Sequence, residues 1–150
     1  MRVFESADAL RAAVGEHLGY SDWHVVTQEQ VNLFAEATGD HQWIHVDPEK
    51  AAKGPFGTTV AHGYLTLSLV PMLASEVSRV DGAKMGVNYG SNKVRFPAPL
   101  PTGSKVRAGV KLMSVEDVPG GVQVINEVTI EREGGDKPCC VGEIVSRVYF

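Results

Sequence analysis

Cysteine is nearly missing from this chain: there are two, adjacent at Cys139 and Cys140, in 150 residues. That excludes a disulfide framework and reads as two reduced, packing thiols. Of the five histidines (His17, His24, His41, His45 and His62) only His41 and His45 stand at His-x-x-x-His spacing, with Gln42 where a zinc-protease motif has glutamate, and no Cys-x-x-Cys exists, so no metal is expected. Long apolar runs are also missing. The longest, Val60 to Ala74, is too short to span a bilayer and is broken by His62, Gly63, Thr66, Ser68 and Pro71, so it reads as a buried helix and not a membrane segment. The start, Met1 to Asp8, has no signal-type run and carries acidic residues at once, which points to the cytoplasm. Nor is there an excess of positive charge: 14 Lys and Arg against 18 Asp and Glu give −4, and the basic residues are scattered, which argues against nucleic acid as a partner. With 43% hydrophobic and 21% charged residues and no repeat or linker, residues 1–150 are expected to fold as one domain.

What the chain does have is ordered punctuation. Ser6 can cap a short helix over Ala7 to Val14, stopped by Gly15, and Trp23 to Val26 reads as extended. Thr27 with Gln30 three residues on is a capping-box signature. The helix it opens puts Val31, Phe34, Ala35 and Thr38 on one core stripe, leaves Gln28, Glu29, Asn32 and Glu36 to solvent, and ends at Gly39. Asp47-Pro48 starts another short helix, to about Lys53. Ala61 to about Arg79 carries enough Leu, Val, Met and Ala for a long buried helix that Pro71 should bend or break. From Lys84 the texture changes to four alternating runs: Met85 to Phe96, Ser104 to Glu116, Gly121 to Glu133 and Lys137 to Tyr149. Pro- and Gly-rich turns separate them, and the slip in alternation at Asn126 marks a bulge. Helices followed by an antiparallel meander imply an α+β fold, a curved sheet with one central helix. A sheet of that size leaves an apolar edge, so a homodimer is expected.

Two features look poor for packing and good for chemistry. In Thr38-Gly39-Asp40-His41-Gln42-Trp43-Ile44-His45 a carboxylate and an imidazole stand five residues apart, just past a helix end. An Asp there often only closes a turn, and a lone His is more often packed than catalytic. Together they can handle one water and two protons, with Ile44 and Val46 pinning the backbone while the His45 ring points the other way. The second feature is His62-Gly63-Tyr64 at the mouth of the long helix. Unpaired amides there could stabilise a substrate oxygen that gains negative charge, and Gly63 admits close approach; the alternative is that Gly63 merely permits tight packing.

Over most of its length the chain resembles the MaoC-like dehydratases and (R)-specific enoyl-CoA hydratases. The likeness is carried by Phe34, Thr38-Gly39-Asp40, Ile44-His45 and Ala51 in the spacing of the hydratase signature, then by Phe56-Gly57-Thr58-Thr59-Val60-Ala61-His62-Gly63 and by Lys93-Val94-Arg95-Phe96-Pro97-Ala98-Pro99-Leu100. Among its branches it looks closest to those grouped with nodulation protein N. The resemblance implies a hot dog fold, a curved antiparallel β-sheet wrapped around a long central helix. It also implies Asp40 and His45 as the catalytic pair, the Gly63 amide as donor to a thioester carbonyl, and no cofactor. The chain departs from the family at Gln42-Trp43, where Asn-Pro is usual, and at Pro71, where some relatives carry a serine that orients the aspartate.

The activity implied is reversible addition of water to trans-2-enoyl-CoA, giving (R)-3-hydroxyacyl-CoA. Gln42, Trp43, Tyr64, Phe56 and His62 are expected beside the substrate, with Phe34, Leu65 and Leu69 as further walls of an acyl tunnel and Lys93, Arg95 or Lys84 near the coenzyme A phosphates. Two alternatives stay open: an acyl-thioester-binding subunit that needs a partner, and a hot dog thioesterase.

Overall fold

A computed structural model describes all 150 residues. Its elements are β1 (Arg2–Phe4), α1 (Ala7–Ala12), β2 (His17–Tyr20), β3 (His24–Val25), α2 (Gln28–Thr38), α3 (Trp43–Val46), α4 (Pro48–Ala52), α5 (Gly63–Ser68), α6 (Val70–Val77), β4 (Ser78–Val80), β5 (Met85–Arg95), β6 (Lys105–Val118), β7 (Gly121–Arg132) and β8 (Cys140–Tyr149). The caps do what the sequence promised. Ser6 Oγ accepts from the Ala9 amide, Thr27 Oγ1 from Gln30 and the Asp47 carboxylate from Lys50. Gly39 ends α2 with φ 81°, a conformation that side chains with a Cβ rarely adopt.

The main sheet runs β2-β6-β7-β8-β5, with β3 also on β6, while β1 and β4 form a separate parallel pair. Only β6, β7 and β8 are a meander. β5 does not join its chain neighbour β6; it crosses over and pairs with β8, so the proline-rich turn after it is a crossover and not a hairpin. The bulge sits opposite the slip at Asn126, on the neighbouring strand: between Leu112 and Ser114, β6 carries the extra residue Met113.

The long apolar segment splits into α5 and α6 at Leu69. Pro71 has no amide to give Leu67, so the hydrogen-bond ladder skips a rung while Leu73 N–H still reaches Leu69 O at 3.0 Å. α6 stops at Val77 and does not reach Arg79. Leu65, Leu69, Leu73 and Val77, four residues apart, lie on the concave sheet face against Val106, Ala108, Val110, Val128 and Ile130. Leu73 and Ile130 are fully buried, and removing such a side chain typically costs about 2–5 kcal/mol. A second, smaller core of Phe4, Leu10, Ala13, Leu112, Val122 and Val124 packs under α1, at the far end of the sheet. No helix is long and apolar enough to cross a membrane.

Candidate active site

Asp40 is delivered by the turn that ends α2. Gly39 N–H closes on Ala35 O at 2.8 Å, and the Asp40 carboxylate then accepts from the Gln42 amide at 3.3 Å. The main chain at Gln42 therefore holds Asp40, and the Gln42 side chain, at the surface, makes no cap bond. The same turn starts α3, a single helical turn that the sequence patterns do not announce. On it His45 is the buried residue, while Ile44 and Val46 are only partly buried, the reverse of the alternation expected of an extended segment. His45 faces inward because one helical turn, unlike a strand, does not send neighbours to opposite sides.

Four bonds, two of its own and two through its neighbours, fix His45. Its Nδ1 lies 2.6 Å from Val60 O, and a carbonyl only accepts, so Nδ1 carries the proton and Nε2 is left bare. Its own carbonyl accepts from Gln28 Nε2 at 2.8 Å, and Gln28 Oε1 accepts from Thr59 Oγ1 at 2.6 Å. Ile44 O accepts from Val60 N–H at 3.0 Å. Gln28, expected in solvent, is thus a strut between α2, α3 and the strand-like segment before α5. Helix periodicity could not reveal it, since its partner Thr59 is 31 residues away.

His62 does not reach into an open pocket. It is 3% exposed, with its ring stacked on that of His45 at 3.8 Å between centroids and 23° between planes, and Phe34 on its flank at 4.9 Å. Its Nε2 donates to Asp40 O at 2.9 Å and lies 4.0 Å from Asp40 Oδ2, while Nδ1 is buried with no partner. Asp40, His45 and His62 each offer one ligand-type atom within 4.8 Å of the others. A divalent cation could bridge such a set, although each ring already commits one nitrogen to a main-chain carbonyl. The Asp40 side chain is 52% exposed beside two buried imidazoles, so water reaches the carboxylate while the rings keep a fixed, low-dielectric backing.

Gly63 opens a hollow of about 290 Å³ lined by Phe56, Ala61, Thr66 and Phe96 among others. A Cβ on Gly63 would stand 3.1 Å from the Phe96 ring, so glycine here serves close packing as well as access. The first hydrogen bond of α5 runs from Thr66 N–H to His62 O, which leaves the Gly63 amide outside the helix ladder. Trp43 does not line this hollow. Its ring lies on Gly54, where a Cβ would come within 2.9 Å, and Lys50 Nζ stands 4.8 Å over it, so the indole braces α3 against α4. Tyr64 is 72% exposed and meets only the edge of Phe96 at 6.2 Å. Leu65 and Leu69 belong to the core, and Lys84, Lys93 and Arg95 are at the surface.

Residues 9–133 match the model of the MaoC-like domain. The chain is 60% identical over 148 residues to 3-hydroxyacyl-thioester dehydratase Z of Mycobacterium tuberculosis, with 98% of both chains covered. The chain belongs to the MaoC-like dehydratase family. It is 42% identical to nodulation protein N of Rhizobium leguminosarum over 91% of this chain and 87% of that one. A solved structure titled as a monoamine oxidase regulatory protein from Archaeoglobus superposes with TM-score 0.78 at 22% identity, over 99% of this chain and 95% of the other. The shared architecture is the hot dog fold, and the protein is a lyase of the dehydratase class.

Proposed function

We propose that this MaoC-like dehydratase, one domain over residues 1–150, is an (R)-specific enoyl-CoA hydratase that also runs in reverse on 3-hydroxyacyl thioesters. The reading rests on one observation: the Asp40 carboxylate and a ring nitrogen of His45 lie within 4.8 Å of each other, and each side chain is anchored by a main-chain bond. Two fixed proton-handling groups at that distance can hold one water between them. The Gly63 amide is assigned to the thioester oxygen. As the water oxygen bonds to the β carbon, electrons move to that oxygen as an enolate, and the Asp40–His45 pair takes the water's proton. The enolate then collapses with delivery of a proton from the pair to the α carbon. Hydroxyl and hydrogen have been added across the double bond, and the pair ends with the protons it began with. Gln42, Phe56 and Tyr64 are assigned to the mouth of the site and Lys93 or Arg95 to the coenzyme A phosphates; no cofactor enters the reaction.

Purified protein given crotonyl-CoA should consume the conjugated enoyl absorbance without releasing free thiol, and the product should be the (R)-hydroxyacyl thioester by chiral chromatography. Thiol release would establish the thioesterase instead. No turnover at any chain length unless a second polypeptide is added would establish the partner-dependent subunit.

A homodimer in the cytoplasm completes the reading. The outer edge of β5 is unpaired, the strand is exposed almost throughout, and it carries the exposed Met85 and Tyr89, with exposed Phe96 just past its end against Tyr64. A second copy pairing there would cover them, and light scattering on the protein and on Tyr89→Lys checks it: dimer for the first, monomer for the second.

A further inference from the structure

The concave face of the sheet is apolar except at one place, and that place is a cavity. On β7, Val122, Val124, Val128 and Ile130 are buried, but Asn126 interrupts the row between the two cores. The register identifies its inward-facing neighbours: Val124 pairs with Ser146 on β8, Ser146 pairs with Asn88 on β5, and Asn126 pairs with Ile144. Asn88, Ser146 and Asn126 thus stand on three adjacent strands, and all three line one cavity of about 380 Å³ under the end of α6. Asn126 Oδ1 is buried without a hydrogen-bond partner. An amide in that position needs a partner that the protein does not supply.

Three hollows follow one another along the broken helix, from Gly63 to this far cavity. Gly63, Leu67, Pro71, Ala74 and Ser78 follow at spacings of four, four, three and four, with Val70 beside Pro71, and Gly63 lines the near hollow. Leu67, Val70 and Pro71 line a middle hollow of about 420 Å³, and Pro71, Ala74 and Ser78 the far one. Middle and far hollows share Pro71 and Asn88. From Gly63 to Pro71 the helical rise is about 12 Å. An extended chain advances about 1.2 Å per bond, so an acyl group held at Gly63 reaches the polar triangle at roughly its tenth carbon.

We propose that the preferred substrate is a thioester whose acyl group is long and carries an oxygen function, hydroxyl or keto, near its far end, met by Asn126 with Ser146 and Asn88. This rests on the hydratase reading and adds a substrate class to it. A plain alkyl end would leave the Asn126 amide buried against hydrocarbon, whereas a hydroxyl satisfies it, and a site built to bond a hydroxyl discriminates against the analogue that lacks one.

The test compares a twelve-carbon trans-2-enoyl-CoA with the same thioester hydroxylated at about the tenth or eleventh carbon. The unaltered protein should favour the hydroxylated compound by about tenfold in kcat/KM. Asn126→Leu should erase or invert that preference and leave crotonyl-CoA, too short to reach, unchanged. If Asn126→Leu does not fold, Ser146→Ala should narrow the preference by itself. Equal or better use of the plain chain by the unaltered protein, or a preference that survives Asn126→Leu, overturns the proposal. Should crotonyl-CoA and both long substrates all go unreacted, the hydratase reading fails on its own. Calorimetric binding of the two long thioesters then still decides this one, with tighter binding of the hydroxylated compound supporting it and equal or weaker binding overturning it.

Discussion

The two ends of the broken helix α5–α6 treat polar groups in opposite ways. At the near end, His45 Nδ1, His62 Nε2 and the Asp40 carboxylate are each held by the main chain, and one buried nitrogen, His62 Nδ1, is left over. At the far end, Asn126, Ser146 and Asn88 line open space, and the Asn126 carbonyl oxygen has no partner. Groups that move protons must be placed before substrate arrives, since an ångström of misplacement is costly in rate. Groups that only recognise a substrate can wait for it to complete their bonds. On the proposed reading, the near end serves chemistry and the far end selection.

The comparison breaks most severely at the pair itself. Asp40→Asn and His45→Gln should each lower kcat for crotonyl-CoA hydration by about 10²–10⁴, with little change in the thermal midpoint, because proton transfer is lost while the main-chain bonds of the segment remain. Loss of rate below fivefold in either would remove the pair from the chemistry.

His62 comes next. His62→Phe keeps a ring to stack on His45 but loses the donor to Asp40 O, and should lower kcat by about tenfold or more with KM nearly constant. His62→Gln places a nitrogen near the lost Nε2 and should recover part of the rate. A change confined to KM would make His62 a substrate contact instead.

Gln28→Leu should follow, with a several-fold drop in kcat and about 1 kcal/mol lost from the unfolding free energy measured in urea, since it unties α2 from His45 O and Thr59. An unchanged enzyme would show that α3 is held by His45 and Val60 alone.

The smallest effect is on stability at alkaline pH. Burial pushes the Cys140 thiol up to about 11, helped by Cys139, which burial also raises. The ordinary value is 9.0, so unfolding lets the thiol ionise before the folded state does. Stability from this source is complete below that value and declines as pH climbs toward the folded one. Unfolding free energies from urea titrations at about pH 8 and pH 10 should differ by about 1 kcal/mol from this thiol, and Cys140→Ala should reduce the difference.

Much of this was legible in the chain. Caps at Ser6, Thr27 and Asp47, the stop at Gly39 and the breaking effect of Pro71 are local events, and each acts within one turn of helix. The buried row Val106, Ala108, Val110 and Leu112 follows from alternation alone. So does the neighbourhood of Asp40 and His45, because five residues cannot carry them far apart. The misread residues have partners far off in sequence. Gln28 was assigned to solvent by periodicity, which says which face a residue is on and not what docks there. Trp43 was expected at substrate because it lies inside the motif, but the single turn of α3 rotates it onto Gly54.

The sequence by itself therefore determined most helix starts, the strand faces and the closeness of Asp40 to His45, all set by backbone conformation and periodicity within a few residues. Tertiary structure decided which strand β5 would join, that His62 would stack on His45, and that Asn88, Ser146 and Asn126 would meet across three strands. Pairing between distant strands depends on register, and register is a property of two segments at once that neither carries alone.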